Sequence, residues 1–187
     1  SKRVNKPNDE KYLLNDLSRK DKKALEKLIT TYYPKIKRLL TGFLDTQEEG
    51  EDLTQDVFVK LWQNRLSIAH VENLNAYLYR MAKNTLYDHI EKSGRLYHIH
   101  NSELPDIPVT ETIEELIFAD ELNELIDLKV KQMPPQRRTI FTMSRQEGLS
   151  NREIAVRLNI SKRTVETHIS AALTDIRKIL PLISLFF

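Results

Sequence analysis

Apolar residues recur every three or four positions along most of the chain, and this spacing predicts amphipathic helices. Glycine is rare and runs that alternate apolar with polar residues are nearly absent, so no strand is expected. The pattern predicts helices over about 11–43, with a kink or break at Pro34, then from Thr46 to about 63, and over about 74–92. The chain is therefore expected to be all-α.

A stretch without periodicity separates two helical regions. Residues 93–110 contain two prolines and no recurring apolar position, so they are expected to form a flexible linker. Helical spacing resumes at residue 111 and is interrupted once more at Pro134 and Pro135. The chain is thus expected to hold two small helical domains, over residues 1–92 and 111–187, and to begin with a flexible arm over residues 1–9.

The second region contains the signature of a helix-turn-helix. Ser150 and Glu153 have the spacing of a capping box, which marks the start of a helix. Asn159 follows at a position where a tight turn needs a left-handed residue, and Ser161 can cap the next helix. A short helix, a turn of three or four residues and a second helix make up the helix-turn-helix layout.

The start of the second helix carries polar side chains that suit base recognition in the DNA major groove. Charge supports this interpretation, because residues 128–187 hold 11 Lys and Arg against 4 Asp and Glu. An ordinary helical hairpin with solvated polar residues is the alternative. The residues predicted to bind DNA are Ser161, Lys162, Arg163, Thr164, Glu166, Thr167 and Ser170.

Two helices of the first region present further candidate surfaces. The helix after Thr46 places Leu53, Val57 and Leu61 on one face, and the opposite face combines carboxylates with an apolar residue, as a protein-contacting surface needs. A merely solvated face is the alternative. The predicted docking residues are Asp52, Gln55, Asp56, Val59 and Gln63. The helix over 74–92 combines cations with an aromatic residue, which suits single-stranded DNA, in Arg80, Lys83, Asn84 and Tyr87.

Three motifs together carry a resemblance to a known family. The stretch from Gly148 to Val165 looks like sigma-factor region 4, and also like the DNA-binding domain of LuxR-type regulators. Residues 50–62 resemble sigma-70 region 2.2, and residues 77–88 resemble regions 2.3–2.4. In this order the motifs are similar to those of the extracytoplasmic-function (ECF) sigma factors.

The resemblance implies a function and a set of partners. It implies a non-enzymatic cytoplasmic protein that directs core RNA polymerase to promoters. The predicted residues between 52 and 63 would bind the polymerase, those between 80 and 87 would bind the −10 element, and those between 161 and 170 would bind the −35 element. It also implies an anti-sigma protein as a partner. One departure is that the second helix has His168, Ala171 and Leu173 where such factors usually carry basic residues, so fewer phosphate contacts are expected.

Several other functions find little support in the sequence. The chain has no cysteine, no apolar run long enough to span a membrane, and no recognisable nucleophile or phosphate loop, so neither a catalytic site nor a cofactor is expected. His98 and His100 lie in the expected linker and do not predict a metal site. Two alternatives stay open at this point, a LuxR-like regulator that acts without polymerase and a nucleic-acid hydrolase that uses the histidines. The apolar C-terminus, residues 179–187, is expected to pack on the protein's own helices and to complete the small C-terminal core. Docking of this segment on a partner, the anti-sigma protein or the polymerase, is the alternative.

Overall fold

Helices make up the regular secondary structure of residues 7–94 and 113–187, the part of the chain that the computed structural model describes. No strand occurs within these residues, so the all-α prediction is confirmed. A short 3₁₀ turn, Ile68–His70, lies between the third and fourth helices. The helices are α1 (Pro7–Ser18), α2 (Lys22–Thr41), α3 (Gln47–Gln63), α4 (Leu74–Lys92), α5 (Ile113–Gln132), α6 (Pro135–Arg145), α7 (Asn151–Leu158) and α8 (Lys162–Ile183).

The chain folds as two units. One comprises residues 1–90 together with 184–187, and the other comprises residues 91–183. The division falls close to the start of the expected linker, most of which lies outside the described residues. The last four residues group with the first unit, which differs from the expectation that the whole tail completes the C-terminal core.

The core of the first unit is built from α1 to α4, with α1 against α2 and the 3₁₀ turn, and α2 against α3. Its fully buried side chains are mostly aliphatic, and Ile68 of the 3₁₀ turn is one of them. The aromatic ring of Tyr79 is also fully buried. The rings of Phe186 and Phe187, which belong to this unit, lie 5.6 and 5.3 Å from the Tyr79 ring, measured between centroids. The apolar end of the chain is therefore partly covered by an aromatic cluster.

The prediction for Pro34 is a kink or a break, and the break does not occur. Pro34 lies inside the continuous helix α2, on its exposed side. Because proline has no amide hydrogen, the carbonyl of Thr30 lacks its helical hydrogen-bond partner. Thr30 is also exposed, so water can bind this carbonyl instead. The chain breaks earlier, between α1 and α2. There Lys20 has a left-handed backbone with φ of 63°, and the Asp21 side chain caps α2 by accepting a hydrogen bond from the Lys23 amide.

Helices α2 and α3 approach each other most closely at Gly50. A Cβ atom at this position would lie 2.2 Å from Cγ2 of Thr41, so any larger residue here would force the Thr41 side chain or the helices to shift. Next to it, the buried Thr54 hydroxyl donates a 2.6 Å hydrogen bond to the Gly50 carbonyl. Helix α3 is thereby held with one face against α2.

The second unit contains two hydrophobic clusters that share helices α6 and α8. One cluster is formed by α5, α6 and α8 around Met133, Phe141 and Ala172. The other joins α6, α7 and α8 around Ile140, Ile154 and Val165. Helix α8 extends two residues beyond Pro181.

Candidate nucleic-acid interface and protein-docking face

Local hydrogen bonds fix the helix-turn-helix as the sequence predicts. The capping box is complete, because the Glu153 amide donates to Oγ of Ser150 at 3.3 Å and the Ser150 amide donates to the Glu153 carboxylate at 2.8 Å. The Ser150 hydroxyl also donates a 2.7 Å hydrogen bond to the Glu153 carboxylate, and this bond, together with the one from the Ser150 amide, lowers the pKa of Glu153. Asn159 has φ of 52° and ends α7 in the left-handed conformation, and the Thr164 amide donates to Oγ of Ser161 at 3.0 Å.

Packing then sets the angle between α7 and α8. Ile154 and Ala155 of α7 and Val165 of α8 are buried in one cluster with Ile140 of α6. The small side chain of Ala155 permits a close approach of the two helices, and its exposed fraction is only 7%. The first turns of α8 are therefore held rigidly, with their other face in solvent.

The exposed face of α8 carries most of the side chains predicted to bind DNA. Ser161 and Thr164 instead serve the turn, since Ser161 caps the helix and its hydroxyl lies 2.7 Å from that of Thr164. Nζ of Lys162 lies 3.4 Å from a carboxylate oxygen of Glu166, one helical turn along, so these two charges form a pair. The exposed residues of the set on α8 are Lys162, Arg163, Glu166, Thr167 and Ser170, and Ser161, just before the helix, is exposed as well.

One feature beside α8 was not predicted. Nη1 of Arg137, on α6, donates a 2.8 Å hydrogen bond to Oδ2 of Asp175 on α8. The two residues are 38 positions apart in the chain, so no local sequence pattern predicts that they pair. Together with the outer face of α8 they line an open groove of about 710 Å³.

Helix α3 presents the predicted docking face. The residues expected to face the core, Leu53, Val57 and Leu61, are buried. The five on the other side, Asp52, Gln55, Asp56, Val59 and Gln63, are all exposed. Val59 has 53% of its surface exposed among these polar neighbours, which is the mixed surface that the sequence indicated.

Helix α4 presents only part of the predicted DNA face. Arg80 and Asn84 are exposed and Tyr87 is half-buried. The expectation that Lys83 faces outward is wrong, because only 8% of it is exposed. Its Nζ lies 5.7 Å from the centroid of the Tyr79 ring, so a cation–π contact accounts for part of this burial.

The segment before α4 is ordered by its own bonds. The side chain of Asn73 accepts a 3.0 Å hydrogen bond from the Ala76 amide and thereby caps the helix. Ile68, in the 3₁₀ turn, is buried and anchors the segment to the first unit. The start of helix α4 is therefore held in place by the ordered segment that precedes it.

The histidines do not assemble a metal site in the part of the chain that is described. No group of three potential ligands occurs there, and His98 and His100 lie outside the described residues. Nε2 of His89 lies 3.6 Å from a carboxylate oxygen of Glu49, which is an ion-pair geometry when the imidazole is protonated. None of the described helices is long and apolar enough to cross a bilayer.

Comparison with known proteins gives matches to both units. Residues 28–96 match the family model for sigma-70 region 2, and residues 123–176 match the one for sigma-70 region 4. The chain is similar to the RNA polymerase sigma-H factor of Pseudomonas aeruginosa, with 28% identity over 90% of this chain and 92% of that protein. It is also similar to the ECF RNA polymerase sigma factor SigW of Bacillus subtilis, with 26% identity over 88% and 93% of the two chains. The ECF RNA polymerase sigma-E factor of Escherichia coli is 24% identical over 91% and 94%.

Proposed function

This chain belongs to the extracytoplasmic-function group of the sigma-70 family and directs core RNA polymerase to promoters, and from that premise we propose how its surfaces divide the task. The exposed face of α3 binds the polymerase, α4 contacts the opened −10 element, and the start of α8 reads the −35 element. The observation that carries the proposal is that each surface lies on the solvent side of a helix whose other side is buried in a core.

The α3 face is suited to a protein partner. Its carboxylates give charge specificity, and Val59 adds apolar area that water does not favour. Helix α3 is also rigidly mounted, because Gly50 lets it approach α2 closely. A rigid, preformed surface loses little conformational entropy when it docks.

The α4 face is suited to single-stranded DNA. Arg80 and Asn84 offer exposed donors to the strand, and Tyr87 offers part of an aromatic ring on which a base can stack. Lys83, being buried, is proposed to act from behind this surface by stabilising Tyr79 rather than by contacting DNA.

The α8 face is suited to duplex DNA. Arg163 can donate hydrogen bonds to guanine. Glu166 can accept a hydrogen bond from cytosine once its ion pair with Lys162 is broken. The same helix-turn-helix would serve a LuxR-like regulator, but that alternative gives no role to residues 28–96, which match sigma-70 region 2. The region 2 match therefore favours the sigma factor.

Three further properties belong to this proposal. The protein has no chemistry of its own, because the polymerase supplies nucleotide transfer. It acts in the cytoplasm, where its polymerase acts. It is held by an anti-sigma protein until its signal arrives, as the resemblance to ECF factors implies.

The test separates polymerase binding from folding. Replacing Asp52→Lys together with Gln55→Ala should abolish binding to core RNA polymerase in a fluorescence-anisotropy titration. Both side chains are exposed, so the free energy of unfolding should change by only about 0.5 kcal/mol per site.

A matched control uses α1. Asp16→Lys together with Asn15→Ala makes the same charge change and the same amide truncation at two exposed positions. This control should bind polymerase like the wild type. If the α3 variant folds and keeps its polymerase affinity, the docking role of α3 is wrong.

A further inference from the structure

The groove beside α8 extends well past the residues proposed to read bases. Arg163 and Asp175 both line it and are twelve positions apart, which corresponds to about 18 Å along the helix axis. The lining residues between them on α8 carry hydroxyl groups, one carboxylate and one methyl group, and no cation. They are Glu166, Thr167, Ser170, Ala171 and Thr174.

The second cation of this groove comes from another helix. Among the eight lining residues, all in the described part of the chain, the positive charges are those of Arg163 and Arg137. Arg137 reaches the groove from α6, next to Asp175. The two cations are therefore set at separate points of one continuous polar face.

The geometry of Arg137 suits a phosphate group. Its planar guanidinium has five N–H donors, and the bond to Asp175 engages the Nη1 end. The Arg137 side chain is 26% exposed, and its Nε is buried without a hydrogen-bond partner in the described structure. Because the ion pair restrains the guanidinium, the exposed part of this group is held in place before any ligand arrives, whereas Nε itself is buried.

We propose that Arg137 contacts a backbone phosphate of the −35 duplex, and that Asp175 is the positioning residue that holds it. The inference rests on the proposed function of α8. A helix that enters the major groove by its N-terminal end meets the flanking phosphate backbone farther along its length, and Arg137 lies beside that part of α8. Arg137 thus adds a sequence-independent contact to the base contacts of Arg163.

The salt dependence of binding tests this role. The full chain is assembled with core RNA polymerase, and its affinity for a duplex carrying the −35 element is measured at several salt concentrations. Arg137→Gln should lower the slope of log K against log salt by about 0.9, the value for one phosphate contact. Affinity should fall by a similar factor on every −35 sequence, with base preference unchanged. Arg137→Lys, which keeps the charge, should keep the slope.

The matched control is another arginine–carboxylate pair of the same unit. Arg157 pairs with Glu147, and its side chain is 56% exposed. Arg157→Gln removes the same charge and the same kind of pair, so bulk electrostatics would affect both variants alike. The expected slope for this control is that of the wild type. Equal slopes for the Arg137 and Arg157 variants, with normal thermal melting curves, would overturn the proposal.

A double-mutant cycle tests the positioning role of Asp175. If Asp175 acts only as a negative charge near DNA, Asp175→Asn strengthens binding equally in the presence of Arg137 and of Arg137→Gln. If it positions Arg137, the two effects should differ at least threefold, and additive effects overturn this part.

Failure of this inference is distinguishable from failure of the proposed function. A wild-type holoenzyme without any −35 preference contradicts the role of α8 itself. A wild-type preference that depends on Arg163, together with an unchanged slope for Arg137→Gln, contradicts only the phosphate contact.

Discussion

The contact between α2 and α3 supports a quantitative prediction about Gly50→Ala. The new Cβ would overlap Cγ2 of Thr41 at 2.2 Å, and relieving such overpacking costs about 1–3 kcal/mol. Replacing glycine by alanine inside a helix contributes about 1 kcal/mol in the opposite direction. The variant should therefore lose up to about 2 kcal/mol of unfolding free energy.

A second substitution isolates the cause. Thr41→Ser removes Cγ2 but keeps the hydroxyl that donates to the Lys37 carbonyl at 2.7 Å. The nearest remaining atoms to the new Cβ would be Cβ and Cα of residue 41, at 3.3 and 3.4 Å, which a small shift relieves. In the Thr41→Ser background, Gly50→Ala should therefore stabilise the protein by up to about 1 kcal/mol.

The assay is urea unfolding followed by tryptophan fluorescence. The chain has one tryptophan, Trp62, which lies in α3 and is stacked under the Arg65 guanidinium at 4.6 Å, so the signal reports on the first unit. The two effects of Gly50→Ala should differ by about 1–3 kcal/mol, with opposite signs. The same loss in both backgrounds would show that Thr41 is not the obstacle.

Two other predictions concern the second unit. Arg163→Ala should cost about 1–3 kcal/mol of binding free energy at one base pair of the −35 element and relax the base preference there. The measurement is holoenzyme binding to a library of −35 sequences. A uniform loss of affinity across the library would instead identify Arg163 as a phosphate contact. The pKa of Glu153 is lowered in the folded protein by its bonds to Ser150, so its carboxylate stabilises the fold above the ordinary glutamate pKa of 4.5, and this stabilisation is lost as the pH falls through the folded-state pKa. Melting temperatures of the wild type and Glu153→Gln should therefore converge as the pH is lowered below 4.5, and a gap that stays constant with pH would contradict the charge effect.

Features that depend on near neighbours in the chain are predictable from the sequence. The capping box at Ser150, the left-handed turn at Asn159 and the buried faces of α3 and α7 each follow from residues within about one turn of one another. These local rules were sufficient to place the helix-turn-helix and the exposed face of α3.

Features that depend on distant residues were missed or predicted wrongly. Helical spacing alone places Lys83 outward, but Tyr79 and its surroundings bury it. The pair between Arg137 and Asp175 joins two helices, and no periodicity within either one predicts it. Pro34 is tolerated because its side of α2 is exposed to solvent, which a propensity scale does not include.

Different residues of α8 hold the helix in place and face the solvent, and this division has an evolutionary consequence. Val165 and Ala172 hold the helix in its cores, whereas the exposed positions 162, 163, 166, 167 and 170 have little part in that packing. Substitutions at these exposed positions typically change stability by no more than about 0.5 kcal/mol, so they can accumulate without unfolding the domain. A duplicated copy of this gene can therefore acquire a new promoter preference by drift at a few surface codons, while the scaffold that presents them is inherited unchanged.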